Sequence, residues 1–162
     1  MTRFLVAMER EAEKFIQAMG YDPGVEIIGI GAKDLGWYSG DDVLINIGYA
    51  GAYRIRVGTL IEPSFAMDIH TRDLVRIDPA FLLDTRICLT SDVFVETPLF
   101  GWPTLYDMEL FNIAATPHKR VHAIKIVSDN LNLKACESFD GDAAWERVAV
   151  LVKNYIRGQK SD

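Results

Sequence analysis

Three groups of residues in this chain combine acids with neighbours suited to moving protons or gripping hydroxyl groups. Glu9 and Glu11 follow the apolar run Phe4-Leu5-Val6-Ala7-Met8. Asp107-Met108-Glu109 follows a Gly101-Trp102-Pro103 bend, and Ser128-Asp129-Asn130 closes the apolar stretch 121–127. An acid held protonated by its surroundings can give up a proton, whereas an ionised one can take a proton from water. Met108 beside Glu109 suits a sugar, because the thioether can pack on the ring face while the carboxylate accepts from vicinal hydroxyls. Each group also has a plainer explanation. Glu9, Glu11, Asp107 and Glu109 all suit the first turn of a helix, where the dipole and free N–H groups stabilise an anion. Asp129 and Asn130 suit an Asx-type turn. Taken one at a time, the plainer explanation is the stronger for every group.

Positioning such acids is the task of the elements before them. Residues 3–8 are mostly apolar with little alternation, the pattern of a strand buried on both faces. Met8, Ala12, Phe15, Ile16 and Met19 recur at helical spacing until Gly20 ends the pattern. A second buried strand is expected over 25–30 and a third over 43–47, each running into glycines. Weaker strand patterns cover 58–61 and 86–89, separated by a loop holding Pro63 and Pro79. The pattern predicts a helix over 105–115, stopped before Pro117. A strand over 121–127 follows, and then a terminal helix with a stripe of Ala144, Trp145, Val148, Val152, Tyr155 and Ile156, ending at Gly158. Strands alternating with helices predict an α/β fold with a mostly parallel or mixed central sheet flanked by helices. Open sheets of this kind bind ligands at the carboxyl ends of their strands, where the Glu9/Glu11 and Asp129 groups fall.

Bulk properties narrow the function classes. The 162 residues, 49% hydrophobic, suit a single domain over 1–162. A formal charge of −6 argues against nucleic acid as a partner. No segment approaches the roughly 20 apolar residues of a membrane span, and the first apolar run is too short for a signal peptide. Cys88 and Cys136 form neither a C-x-x-C nor a zinc pattern, so reduced thiols and a cytoplasmic setting are expected. His118 and His122 straddle Pro117 and so do not share a helix face. Surface or loop positions are expected for both, with no metal site.

The order and context of the acids resemble the nucleoside phosphorylase/nucleosidase superfamily, in particular 5′-methylthioadenosine/S-adenosylhomocysteine nucleosidases. The matching segments are Ala7-Met8-Glu9-Arg10-Glu11, Ile28-Gly29-Ile30-Gly31-Ala32 and Ile45-Asn46-Ile47-Gly48-Tyr49-Ala50-Gly51 with Val57-Gly58. They continue with Ser91-Asp92-Val93-Phe94, Asp107-Met108-Glu109 with Ile113-Ala114, Val127-Ser128-Asp129-Asn130 and Glu137-Ser138-Phe139-Asp140. Each is weak alone, but they run in the family's order from end to end.

The resemblance implies a nucleosidase-like α/β domain of reduced size that hydrolyses the N-glycosidic bond of a purine nucleoside. No metal or organic cofactor is implied, and a homodimer is. Glu11 falls where these enzymes place the carboxylate that activates water, and Asp129 where they place the acid that protonates the departing purine, supported by Ser128. Met108 and Glu109 fall on the ribose-binding pair. Phe94 and Val95 fall at the base, and Phe139 near the base and 5′ substituent. The division of labour matches inverting glycosidases, with one carboxyl group protonated and the other ionised.

The chain departs from the family's pattern in three places. Tyr49 stands where Ser or Thr is usual, and a phenol there counts against phosphate as the nucleophile. Arg10, Arg54 and Arg56 remain as cations for phosphate, the latter two reading as a solvated strand face. The intervals around 20–27, 32–43 and 62–86 are short for the family, so a pocket wall is expected to be missing or supplied by a partner. Trp37, Tyr38, Phe65 and Trp102 are candidates to fill the vacated volume, beside ordinary packing. Third, Thr90-Ser91-Asp92-Val93-Phe94 lacks the usual glycine, which weakens the inference of purine preference. Hydrolysis is the first reading. A phosphate-dependent phosphorylase and a catalytically silent nucleoside-binding or structural homologue are the alternatives.

Overall fold

The computed structural model describes residues 1–32, 35, 38, 40–117 and 120–161. Strand β1 (Thr2–Val6) leads into helix α1 (Glu9–Met19), and β2 (Val25–Ile27) and β3 (Val43–Tyr53) follow. Next come β4 (Leu60–Asp68), β5 (Leu74–Arg76), β6 (Thr85–Thr90) and β7 (Thr104–Asp107). The short helix α2 (Leu110–Ala114), strand β8 (Arg120–Asp129) and helices α3 (Leu133–Ser138) and α4 (Asp142–Gln159) complete the chain.

One mixed sheet contains all eight strands. β3 is its hub, pairing in parallel with β1 on one side and β8 on the other. Beyond a register shift at Ala50/Gly51, the end of β3 turns to pair antiparallel with β7. Since β8 also pairs with β4, β4 with β6 and β6 with β7, strands β3, β8, β4, β6 and β7 form a closed circuit. Closure of this kind leaves β2 and β5 as the terminal strands and gathers the strand ends of the circuit into a mouth. Inside the circuit, small and branched residues such as Ala50, Ala52, Ala123, Ile61 and Leu105 fill the limited space.

The long helices α1 and α4 lie together on the opposite face. Phe15, Met19, Trp145, Val148 and Val152 bury against Phe4, Ile45, Ile47, Ile124 and Ile126. The apolar stripe predicted for α4 is the buried one, with Tyr155 and Ile156 packed at its edge. Gly20 closes α1 in the left-handed region at φ 80°, its N–H donating to Ile16 O at 3.0 Å.

Several expectations are corrected. The strand expected over 25–30 ends at Ile27, because Gly29 and Gly31 take φ of 77° and 91° and turn the chain away. The helix expected over 105–115 splits in two. Leu105–Asp107 belong to β7, and only Leu110–Ala114 are helical. Pro63 sits within β4 rather than in a loop, at a register shift between Pro63 and Phe65 where a missing N–H is tolerated. Arg54 and Arg56 lie exposed in a turn after β3, with Arg54 at φ 56°. His122 is buried, its Nδ1 2.8 Å from Asp78 O. Tyr38 is buried and donates to Glu26, whereas Trp102 is exposed and stacks on Phe100. Trp37 and His118 lie outside the described residues.

Candidate functional site

The ends of β1, β3, β7 and β8 open onto a cavity of about 450 Å³. Glu11, Met108, Glu109, Ser128, Asp129 and Phe94 all line it. A volume in this range fits a nucleoside-sized molecule.

Glu11 reaches the cavity because α1 starts directly at the end of β1. Its side chain turns back toward the strand, where Oε2 accepts from the N–H groups of Ala7 and Met8, both at 3.0 Å. Oε1 accepts from Tyr49 N at 2.9 Å. The helix-start role read from the sequence is therefore real, since Met8 is the residue that caps α1. Glu11 has a second anchor as well, on β3. The residue is 1% exposed. Burial raises its pKa, opposed by the backbone hydrogen bonds and by the charge of Lys125.

Tyr49 supplies its backbone N–H to this arrangement, but its hydroxyl does not serve the cavity. The ring packs edge-on against Phe139 and Trp145, and the hydroxyl accepts from Trp145 Nε1 at 2.9 Å. Phe139 stands apart from the other predicted site residues. It packs behind Tyr49 and against Gly141, where an added Cβ would lie 2.7 Å from its ring.

Asp107 and Glu109 divide the roles that the sequence left open. Asp107 takes the structural one: Oδ1 accepts from Thr90 Oγ1 at 2.6 Å, and Oδ2 accepts from Leu110 N at the start of α2 at 2.9 Å. Glu109 is thereby left to face the cavity. Its described partner is Lys125, whose Nζ lies 3.2 Å from Glu109 Oε1 and 2.9 Å from Asp107 Oδ2. Burial pushes the Glu109 carboxyl up to about 7, against the lowering pull of Lys125. Burial alone would lower the Lys125 pKa, but the two carboxylates outweigh it and keep the ammonium charged.

Lys125 was not singled out from the sequence. A signal was present: a lysine in the middle of a strand buried on both faces requires an acidic partner, because an isolated buried ammonium is very costly. The partners are 18 and 16 residues earlier, which no local pattern reveals.

Asp129 ends β8. Its Oδ1 accepts from Leu131 N at 2.8 Å and Asn132 N at 3.1 Å, and its Oδ2 accepts from Ser128 Oγ at 2.8 Å. The Asx-type turn read from the sequence is thus present, made by one oxygen only. The other oxygen accepts from Ser128, and both residues line the cavity. Gly51 passes beneath, where an added Cβ would lie 3.0 Å from Asp129 Oδ1. Val95 sits in an adjoining cleft shared with Phe94, Met108 and Leu131.

Among the described residues, no three His, Cys, Asp or Glu side chains are grouped to hold a metal ion, and Cys88 and Cys136 are free thiols. No described helix is long and apolar enough to cross a membrane.

No protein-family model matches the sequence, and no curated protein is significantly similar to it. Solved structures match in shape. A 5′-methylthioadenosine/S-adenosylhomocysteine nucleosidase (MTAN) from Helicobacter pylori, solved with butyl-thio-DADMe-Immucillin-A, aligns with a TM-score of 0.75 at 14% identity, over 97% of each chain. The MTAN of Chlamydia trachomatis aligns with a TM-score of 0.79 at 16% identity, again over 97% of each. The apo 5′-methylthioadenosine nucleosidase of Arabidopsis thaliana gives 0.75 at 15% identity, over 96% of this chain and 94% of that one. The chain therefore has the fold of these nucleosidases over nearly all of its length.

Proposed function

We propose that this protein hydrolyses the N-glycosidic bond of a purine nucleoside such as 5′-methylthioadenosine or S-adenosylhomocysteine, releasing the free base. The observation that carries the reading is the convergence of Glu11, Glu109 and Asp129, all buried, on one cavity that also holds Phe94 and Met108. The nucleosidase fold of the matched structures supports it.

The chemistry assigns each acid a separate task. Cleavage of the bond between C1′ and the base leaves the electron pair on the purine and positive charge on the ribose. Asp129 donates its proton to the purine ring nitrogen, with Ser128 holding the carboxyl in place. Glu11 takes a proton from water as the water oxygen bonds to C1′. Glu109 accepts from the ribose hydroxyls while Met108 packs on the sugar and Phe94 on the base. At the end of the cycle Glu11 holds the proton that Asp129 has lost, and exchange with solvent restores both. A positioned acid or base contributes about 10²- to 10⁴-fold each.

Water is favoured over phosphate because a bulky phenol, Tyr49, stands where the resemblance leads one to expect Ser or Thr, and its hydroxyl sits against Trp145 Nε1. The proposal extends to a cytoplasmic homodimer acting in nucleoside catabolism and methionine salvage.

The test is to incubate the protein with 5′-methylthioadenosine, S-adenosylhomocysteine, adenosine and inosine, with and without phosphate, and to follow free base by chromatography. Release without phosphate is expected. Strict dependence on phosphate would replace hydrolysis by phosphorolysis, and binding without turnover would leave a silent nucleoside binder.

A further inference from the structure

The segment between β6 and β7 carries Phe94 and Val95, yet it has little of its own to hold it in place. Residues 92–103 form neither strand nor helix, and Val93 and Trp102 are more than half exposed. Ser91 fixes the start, its N–H donating to Asp107 O at 3.0 Å and its Oγ accepting from Val93 N at 3.2 Å. Thr104 fixes the end, its Oγ1 donating to Trp102 O at 2.8 Å. Between Phe94 and Gly101 one hydrogen bond remains among the described residues. Leu99 N donates to the Tyr106 hydroxyl at 2.7 Å.

Tyr106 is suited to this task by its place in β7. Side chains alternate along a strand, so Leu105 enters the closed circuit while Tyr106 joins a separate apolar cluster with Met67, Leu89 and Leu131. Val95 and Phe100 of the segment pack on that cluster. Tyr106 is buried and lines the cavity, and with Phe94, Val95 and Met108 it bounds the adjoining cleft. A ring seated in the sheet thus ends in a hydroxyl that grips the middle of a loop. Segments with few buried contacts and few hydrogen bonds open at low free-energy cost, so one bond at the centre has leverage over the whole. The three acids have no such dependence. Glu11 is bonded to Ala7, Met8 and Tyr49, Glu109 to Lys125, and Asp129 to Ser128 and the turn that follows it.

We infer that Tyr106 is a positioning residue for the base: its hydroxyl, through Leu99 N, holds the 94–101 segment so that Phe94 and Val95 stay against the purine. It acts on the binding of the base and not on bond cleavage. This rests on the nucleosidase reading for which end of the cavity takes the base.

The test is Tyr106→Phe, which removes the hydroxyl and keeps the ring. Leu99 is 38% exposed, so the fold is expected to tolerate the loss, and melting curves check this. Calorimetry measures the binding of 5′-methylthioadenosine, adenine and 5-methylthioribose, base release gives KM and kcat, and amide exchange by NMR follows the Leu99 N–H. Affinity for 5′-methylthioadenosine and for adenine is expected to fall together by about ten-fold, within the range that base–aromatic stacking supplies. Affinity for 5-methylthioribose should not change. KM should rise by the same factor with kcat retained, the pattern of an interaction made equally in ground and transition states. The Leu99 amide should exchange faster. If Tyr106→Phe does not fold, an ester in place of the Leu99 amide, introduced as leucic acid, breaks the same bond from the other side and should give the same pattern. Equal losses for 5′-methylthioadenosine and 5-methylthioribose would overturn the inference. So would unchanged adenine affinity in a folded variant, or a fall confined to kcat. Base-selective loss of binding, with no turnover by the native protein, would keep the inference and reject hydrolysis. Turnover with KM and adenine affinity unmoved by the substitution would do the reverse.

Discussion

Lys125 Nζ lies 3.2 Å from Glu109 Oε1, with the lysine fully withdrawn from solvent and the glutamate nearly so. One ammonium, shared between Glu109 and Asp107, makes it possible for two acids to stand together under the cavity floor. Asp107 is spent on the helix start, so the state of this pair decides how Glu109 meets a ligand.

Replacing Lys125 by Met removes the cation and leaves two buried acids facing each other. Breaking a buried pair in this way costs about 3–5 kcal/mol. A drop of that size in denaturant-derived stability, with weaker nucleoside binding, is the expected result. Native-like stability would show that the lysine does not hold the acids together.

The pH dependence follows from the position of the Glu109 carboxyl at about 7 against an ordinary 4.5. Between these values the unfolded chain gives up the proton and the folded chain keeps it, so stability falls as pH rises through this window. Glu11, also raised by burial, acts in the same direction. Affinity for ribose should change oppositely, because the ionised Glu109 is the better acceptor. Urea titrations and nucleoside binding from pH 4.5 to 7 would check both slopes, and Glu109→Gln should flatten them.

The two proposed catalytic acids respond differently to conversion into amides. Asp129→Asn keeps an oxygen for Leu131 N and Asn132 N, and the Ser128 hydroxyl can reverse to accept from the new amide. Base release should fall about 10²- to 10⁴-fold with little change in melting temperature. Glu11→Gln cannot satisfy three backbone donors on two sides with one oxygen. It should lose base release, retain nucleoside binding and give up about 1–3 kcal/mol of stability. Full activity in either variant would remove that residue from the mechanism.

Gly48→Ala tests the same carboxylate without touching it. The added Cβ would stand 2.9 Å from Glu11 Oε1, and three hydrogen bonds, one to Oε1 and two to Oε2, keep the carboxylate from moving aside. Base release should fall at least ten-fold, by the misplacement argument for oriented groups. Unchanged kinetics would show that Glu11 has room to shift and still work.

The sequence disclosed those parts of the fold whose periodicity is long. Residues 3–8 and 121–127 announced buried strands, and the stripe on α4 announced a helix. The four residues of β7 are all buried and run almost directly into α2, so no period separates strand from helix there. α3 buries no residue and therefore has no apolar stripe to find. In the site, acids at strand ends were legible as a class. Asp107 and Glu109 were not distinguishable, because their roles depend on Lys125 from a distant strand. Phe139 read as part of the pocket and Tyr49 as part of a glycine turn, but only the tertiary packing shows Phe139 edge-on against the Tyr49 ring and that ring edge-on against Trp145.

The glycines of β3 have a consequence for motion. Glu11 follows a strand bonded to one side of β3, and Asp129 ends a strand bonded to its other side. Each carboxylate rests over a β3 glycine, at Gly48 and Gly51. The two groups therefore share one mechanical reference, the strand at the hub of the sheet. Thermal movement of α3 or of the rim can open and close the entrance while the spacing of acid and base stays constant. Amide exchange should then be slowest across residues 45–50 and fastest in α3, with the gate and the chemistry belonging to separate dynamic regimes.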